Sequence, residues 1–227
     1  MPEGASLRGA RSARRALFTL TPTPRAVNIV GTLRGATHLP AGAAASFCRW
    51  RLVAGPSWQL LGGAAAGATQ TAGADRARGA GARGLLSALA GGAGAATRGG
   101  GGAAAWEHPI DAHFGAGDVA GWPRLVVTVW TVGDGGRADV AGYGSALVPV
   151  APGEHALEVA CWRPEGSALQ ELRAAFTGAA WPQLTDEATV ADPARAPRSA
   201  LVTATSVAVE VELAVVLRGF AERGIVT

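Results

Sequence analysis

An all-β fold, an antiparallel sandwich of two packed sheets with seven to nine strands and one short helix, is what this 227-residue sequence predicts. Three observations carry the prediction. Val207, Val209, Val211, Leu213, Val215 and Leu217 share one side of an extended segment, and Ala208, Glu210, Glu212 and Ala214 share the other. A helix would smear this pattern around its circumference, so strict alternation means a strand with its apolar side on a core. The run Arg124–Val132 (RLVVTVWTV) is apolar on both sides, which suits a central strand covered on both faces. Turn signals recur along the chain at the spacing of a two-sheet sandwich.

The remaining elements follow in order. Residues 1–25 carry five Arg and one Glu and end in Thr-Pro-Thr-Pro. They read as a disordered basic extension; an Arg-rich, acid-poor start of this kind is also compatible with an organelle transit peptide. The domain occupies residues 26–227. Ala26–Leu33 has strand character. In Phe47–Val53, Cys48, Trp50 and Leu52 face a core while Phe47, Arg49 and Arg51 face away. Trp58–Leu61 is a short piece after a Gly-Pro turn. An insertion of Gly, Ala and Arg at about 72–105 lacks the apolar surface to offset its ordering entropy. Order is expected to return at Trp106, where Trp106–Phe114 leads into a strand. Gly133–Arg137 is hairpin chemistry, with Asp-Gly expected to supply positive φ. Strands then run through Tyr143–Val150 and Glu154–Trp162, where Leu157, Val159 and Cys161 point inward and Glu158 outward. Ser167–Phe176 reads as the one helix, capped by Ser167, and Thr185–Ser199 as a Pro- and Asp-rich loop.

Composition excludes some chemistry. All 20 basic residues are Arg. Without lysine there is neither a Walker phosphate loop nor a pyridoxal Schiff base. Residues 1–105 hold 12 Arg against Glu3 and Asp75, whereas residues 106–227 hold 8 Arg against 15 acids. The basic charge therefore lies mostly in the two loose segments, and the folded body is mildly acidic. Nucleic-acid binding, which wants its basic patch on a folded face, is not expected. Cys48 and Cys161 read as two reduced thiols in a cytoplasmic protein, with a single buried disulfide as the alternative. The most apolar window, Ser199–Leu217, is interrupted by Glu210 and Glu212 and is not a membrane helix.

No catalytic constellation emerges. Ser145 lies inside a strand rather than on a nucleophile elbow. Glu107, His108, Asp111 and His113 fit no zinc spacing, and the loop acids around Asp134 and Asp139 are too sparse for a calcium loop. No catalytic residue, metal or cofactor is expected. Large aromatics near strand ends either plug the sandwich or anchor a partner. Trp106, Trp122, Trp162 and Trp181, with His108 and Asp111, are the partner-contact candidates.

The segments FCRW (Phe47–Trp50), WQLLG (Trp58–Gly62), TQT (Thr69–Thr71), WEHPIDAHF (Trp106–Phe114), GWPRL (Gly121–Leu125), GYG (Gly142–Gly144), CWRP (Cys161–Pro164) and LRGF (Leu217–Phe220) occur in the order and spacing of a known family. On them the chain resembles the B9-domain family of ciliary transition-zone proteins, nearest to one of its small paralogues. The resemblance implies a C2-like β-sandwich and a non-enzymatic subunit of the Meckel syndrome/tectonic-like complex, supporting cilium assembly and the diffusion barrier of the ciliary membrane. It implies as partners the other B9-domain proteins: the second small paralogue and the larger Meckel syndrome type 1 subunit. It implies a location in the cytoplasm and cytoskeleton at the cilium base, in the basal body and transition zone. The alternative function is a peripheral, phospholipid-binding C2-like module.

Overall fold

Alternation of apolar and polar residues becomes strand after strand. The computed structural model describes residues 25–74, 102–167, 182–185, 188–191 and 201–220. These form β1 (Arg25–Leu39), β2 (Ala43–Val53), β3 (Trp58–Gly63), β4 (Ala66–Ala68), β5 (Ala72–Gly73), β6 (Gly102–Ala116), β7 (Arg124–Gly133), β8 (Ala138–Leu147), β9 (Gly153–Pro164) and β10 (Thr203–Arg218), with one helical turn, α1 (Ala188–Ala191). The strands follow one hydrogen-bonded path, β3-β6-β1-β10-β9-β8-β7-β2-β4, and β5 also pairs with β2. Between β9 and β8 the path rests on a single residue pair, Tyr143 with Trp162. The sheet folds over at that seam. It gives a C2-like, all-β sandwich whose two layers are β3-β6-β1-β10-β9 and β8-β7-β2 with β4 and β5. Among the described residues, β9 is paired from Gly153 to Ala160 with β10 alone.

The inner face of β10 is the apolar one read from the sequence: Val207, Val209, Val211, Leu213 and Val215 are all buried. Cys48, Trp50 and Leu52 face it from β2, as expected. Trp106 crosses between the layers. It is 0 % exposed, and its indole N–H donates to the Ser46 carbonyl of β2 at 3.2 Å. The TQT segment braces the same place. The Cys48 amide donates to Thr69 Oγ1 at 3.0 Å, and the Gln70 side-chain amide donates to the Trp106 carbonyl. The outer face of β7 is covered as well. Val126, Val140, Tyr143 and Val190 of α1 form a second buried cluster, which is why β7 is apolar on both sides.

Several expectations need correction. β1 runs on to Leu39 and β6 starts at Gly102, so order returns before Trp106. β5 and the start of β6 reach into the Gly/Ala/Arg insertion from both ends, because backbone pairing there needs no apolar side chains. Residues 75–101 lie outside the described residues, as do residues 1–24 of the N-terminal extension. The Ser167–Phe176 helix also falls outside them beyond Ser167. The helix that is described, α1, sits within the expected loop and is held by burial of Val190. In the β7–β8 hairpin the positive φ belongs to Gly136 (76°), not to the Asp134-Gly135 pair. The Gly136 amide closes the turn onto the Gly133 carbonyl at 2.9 Å.

Gly142 and Gly144 flank Tyr143 and face inward, opposite to its ring. A Cβ on Gly144 would lie 2.7 Å from Cys161 Sγ and 2.9 Å from Val159 Cγ1. Close packing of the two layers near the seam therefore depends on the absence of side chains here. Gly144→Ala is expected to lower unfolding free energy by about 1–3 kcal/mol through overpacking, read from a urea melt with an unchanged m-value.

Both cysteines are free and buried. Burial pushes the Cys161 thiol up to about 12. Burial raises Cys48 further still, with a smaller contribution from nearby Cys161. Unfolded thiols ionise near about 8.5, so as pH rises the unfolded state loses protons first. Their contribution to stability is intact below about pH 8.5 and is lost progressively as pH approaches about 12. The melting temperature of the protein should fall more steeply between these limits than that of the Cys48→Ala/Cys161→Ala variant. A thiol reagent should label both cysteines only on unfolding.

Candidate interaction surfaces

The tryptophans expected near strand ends take three different roles. At one end of the sandwich Trp122 meets Trp58 edge-on (centroids 5.2 Å, 82°) and Phe220 (5.9 Å, 65°). The Trp122 indole donates to the Val148 carbonyl and the Trp58 indole to the Ala120 carbonyl, each at 2.9 Å. The loops meet at Gly55 and Gly121, where the Gly55 amide donates to the Gly121 carbonyl at 2.7 Å. Gly121 has φ 74°, and a Cβ on it would fall 2.5 Å from the Gly55 Cα. Trp122 therefore plugs the end of the barrel-like core. Trp162 lies at the seam against Tyr143 (5.9 Å). The Tyr143 hydroxyl accepts the Leu184 amide at 3.2 Å, tying the 182–185 segment to the second cluster.

Trp106 is corrected as a partner contact: with no exposed surface, it is a core residue. His108 points toward the core side and tilts onto Trp50 (6.1 Å). Asp111 is exposed on the outer face of β6. Trp181 lies outside the described residues. The structure does not gather the candidates into one patch. His108 on the inner side of β6 and Asp111 on the outer side also cannot share a metal with His113. Among the described residues no group of three His, Cys, Asp or Glu side chains converges.

A different surface emerges on the outer face of the β3-β6-β1-β10-β9 layer. The register of β1 shifts between Leu33 and Gly35 against both β6 and β10. Against β10, Arg34 is the extra residue of this β-bulge; against β6 the extra residue lies in β6, where Trp106 and Glu107 together stand opposite Arg34. Glu107, opposite it, has φ 44°, a left-handed conformation uncommon for a residue with a Cβ. Trp106 points inward and Glu107 outward, in step with the rest of β6, whereas across the bulge the inward positions of β1 change from Ile29 and Leu33 to Ala36. Arg34 Nη1 then lies 3.3 Å from Glu107 Oε1, and Nη2 lies 2.7 Å from Glu212 Oε2. These hydrogen bonds, to Glu212 first and then Glu107, raise the Arg34 pKa and keep it cationic. Around the trio is an open trough of about 700 Å³ with small residues such as Gly35, Ala105 and Ala156 in its lining and Glu158 and Glu210 beside them. No single stretch of sequence signals this site, because its residues come from four strands. Period-two parity alone could have placed Glu158, Glu210 and Glu212 on one face.

Comparison with known proteins points one way. The family model described as ciliary basal body-associated, B9 protein (B9-C2) matches residues 27–216. The chain is 35% identical to B9 domain-containing protein 2 of Rattus norvegicus over 199 residues, which is 88% of this chain and 97% of that protein. It is 42% identical to B9 domain-containing protein 2 of Homo sapiens over 122 residues, 54% of this chain and 68% of that protein. B9 domain-containing protein 1 of Mus musculus is 37% identical over 87 residues, 38% of this chain and 42% of that protein.

Trp122→Ala should cost about 2–3 kcal/mol, less than a fully buried tryptophan, because the ring is partly exposed. Trp122→Phe should keep the ring packing and lose about 1 kcal/mol with the indole hydrogen bond. A chemical-denaturation series on the three proteins checks both values; an alanine variant of undiminished stability would mean that Trp122 is not an end plug.

Proposed function

The chain belongs to the B9 family of ciliary basal body-associated proteins, and we propose that it is a non-enzymatic structural subunit of the transition-zone complex at the base of the cilium. In this reading it binds other B9-domain proteins, the second small paralogue and the Meckel syndrome type 1 subunit, and so supports cilium assembly and the membrane diffusion barrier. The observation that carries the reading is the extent of the match: 97% of the rat protein aligns with this chain. Whatever that relative does, it does with this one sandwich, and a sandwich acts through its faces, edges and end loops.

The physical character of the surface supports the same reading. The trough is broad and open, which suits a protein surface better than an enclosed small molecule. Its carboxylates oppose an anionic bilayer, which favours basic segments, so this face fits a scaffold better than a lipid-binding module.

Co-expression of the full-length chain with the two other B9 proteins should give one co-migrating species in size-exclusion chromatography, and a tagged copy in a ciliated cell should form a ring at the ciliary base. A chain that elutes alone beside both partners, or a tag that enters mitochondria or plastids, would overturn the reading.

A further inference from the structure

No described element packs on the outer face of the β3-β6-β1-β10-β9 layer, and its composition is that of a contact surface. Val30 is 49% exposed, Val216 56% and Leu61 53%. Val30 pairs with Ala214 and Asn28 with Val216, so the two valines are diagonal neighbours on adjacent strands. Leu61 lies over Gly115 on the same side, its Cδ1 3.0 Å from where a Cβ would be. Asn28, His113 and Asp111 stand between Leu61 and the two valines, so the apolar side chains form two small spots, with carboxylates around them. Glu107, Glu158, Glu210 and Glu212 line the trough, and Glu154 lines the adjoining hollow with Val30. Exposed apolar side chains set among polar and charged ones suit a mixed, largely polar protein contact.

The charge pattern says what the partner carries. Glu158 and Glu210 are exposed and stand directly opposite each other in the β9–β10 ladder. Like charges in that position destabilise a sheet. Arg34, the only cation among the described residues that line the trough, is already engaged by Glu107 and Glu212. That neighbouring trio shows how a guanidinium sits between two strands here, and the Glu158–Glu210 pair repeats the two carboxylates without the cation among the described residues. A second copy of this chain placed face to face would bring the same acids and is disfavoured. We propose that this face docks a basic protein surface presented by another B9-domain protein, with an arginine of that partner entering between Glu158 and Glu210. The inference rests on the scaffold reading and adds to it the interface and its chemistry. Carboxylate–guanidinium pairing supplies charge-assisted, directional hydrogen bonds, while Val30, Val216 and Leu61 supply apolar area.

The test uses the full-length chain and the two other B9 proteins, with affinities measured by calorimetry at low and physiological salt. Glu158→Gln/Glu210→Gln should weaken binding to at least one partner by about tenfold or more and flatten its salt dependence. Asp118→Asn/Glu165→Gln, which removes the same charge elsewhere, should leave affinity unchanged. The free Glu158→Gln/Glu210→Gln chain should melt no lower than wild type, because a repulsion has been removed. Unaltered affinity for both partners overturns the inference while leaving the scaffold reading intact. No complex with the wild-type chain overturns both. A lowered melting temperature of the free variant means that a cation from the chain itself already holds the pair, and overturns the inference alone.

Discussion

Two layers that barely touch through hydrogen bonds are held together by the apolar surface between them. The ladder between β8 and β9 is one residue pair, so backbone bonding contributes almost nothing across the seam. What joins the layers is burial of the β10 valines against the β2 residues Cys48, Trp50 and Leu52, with Trp106 threaded between. The Trp106 indole bond to the Ser46 carbonyl is one of few polar ties within this contact. Leaving either group unpaired in the core would cost about 1–3 kcal/mol, so the bond fixes register between the layers more than it adds stability. The glycines of GYG belong to the same arrangement, because side chains there would hold the layers apart.

The bulge at Arg34 and Glu107 links this core to the surface. One shift in register does two jobs. It switches which positions of β1 face the core, and it places Arg34 on the outer face beside Glu107. The left-handed backbone of Glu107 costs free energy, and the surrounding β1 and β6 ladders hold it in place. A local irregularity that secures the core thus also shapes the trough outside.

Much of the fold was legible in the sequence. Val207–Leu217 and Phe47–Val53 read correctly because each is a half-buried strand with clean period-two alternation. The ends of β1 and β6 were not legible. Thr37, His38 and Gly31 look like a strand giving way to a loop, and Gly102–Ala105 looks like more of the low-complexity insertion. Both are strand because their neighbours supply the ladder, which local composition does not record. Among the candidate residues, the sequence could place aromatics near strand ends but could not tell a plug from an anchor; Trp106 is wholly buried, and Trp122 packs on Trp58 and Phe220. The trough was hidden for a different reason. Arg34 meets partners 73 and 178 positions away, and only the strand order β6-β1-β10-β9 brings them side by side.

One flank of β9 has a further consequence. Among the described residues none pairs with Gly153 to Ala160 on the side away from β10, and a strand edge of that kind is the sort of template that lets identical molecules zip together into aggregates. Along that flank Glu154 and Glu158 alternate with Ala156 and Ala160. Two such strands brought side by side would crowd negative charges, while the alanines give little apolar reward for the approach. The glutamates of β9 therefore act as a guard on solubility, keeping an unfinished sheet from growing by copies of itself.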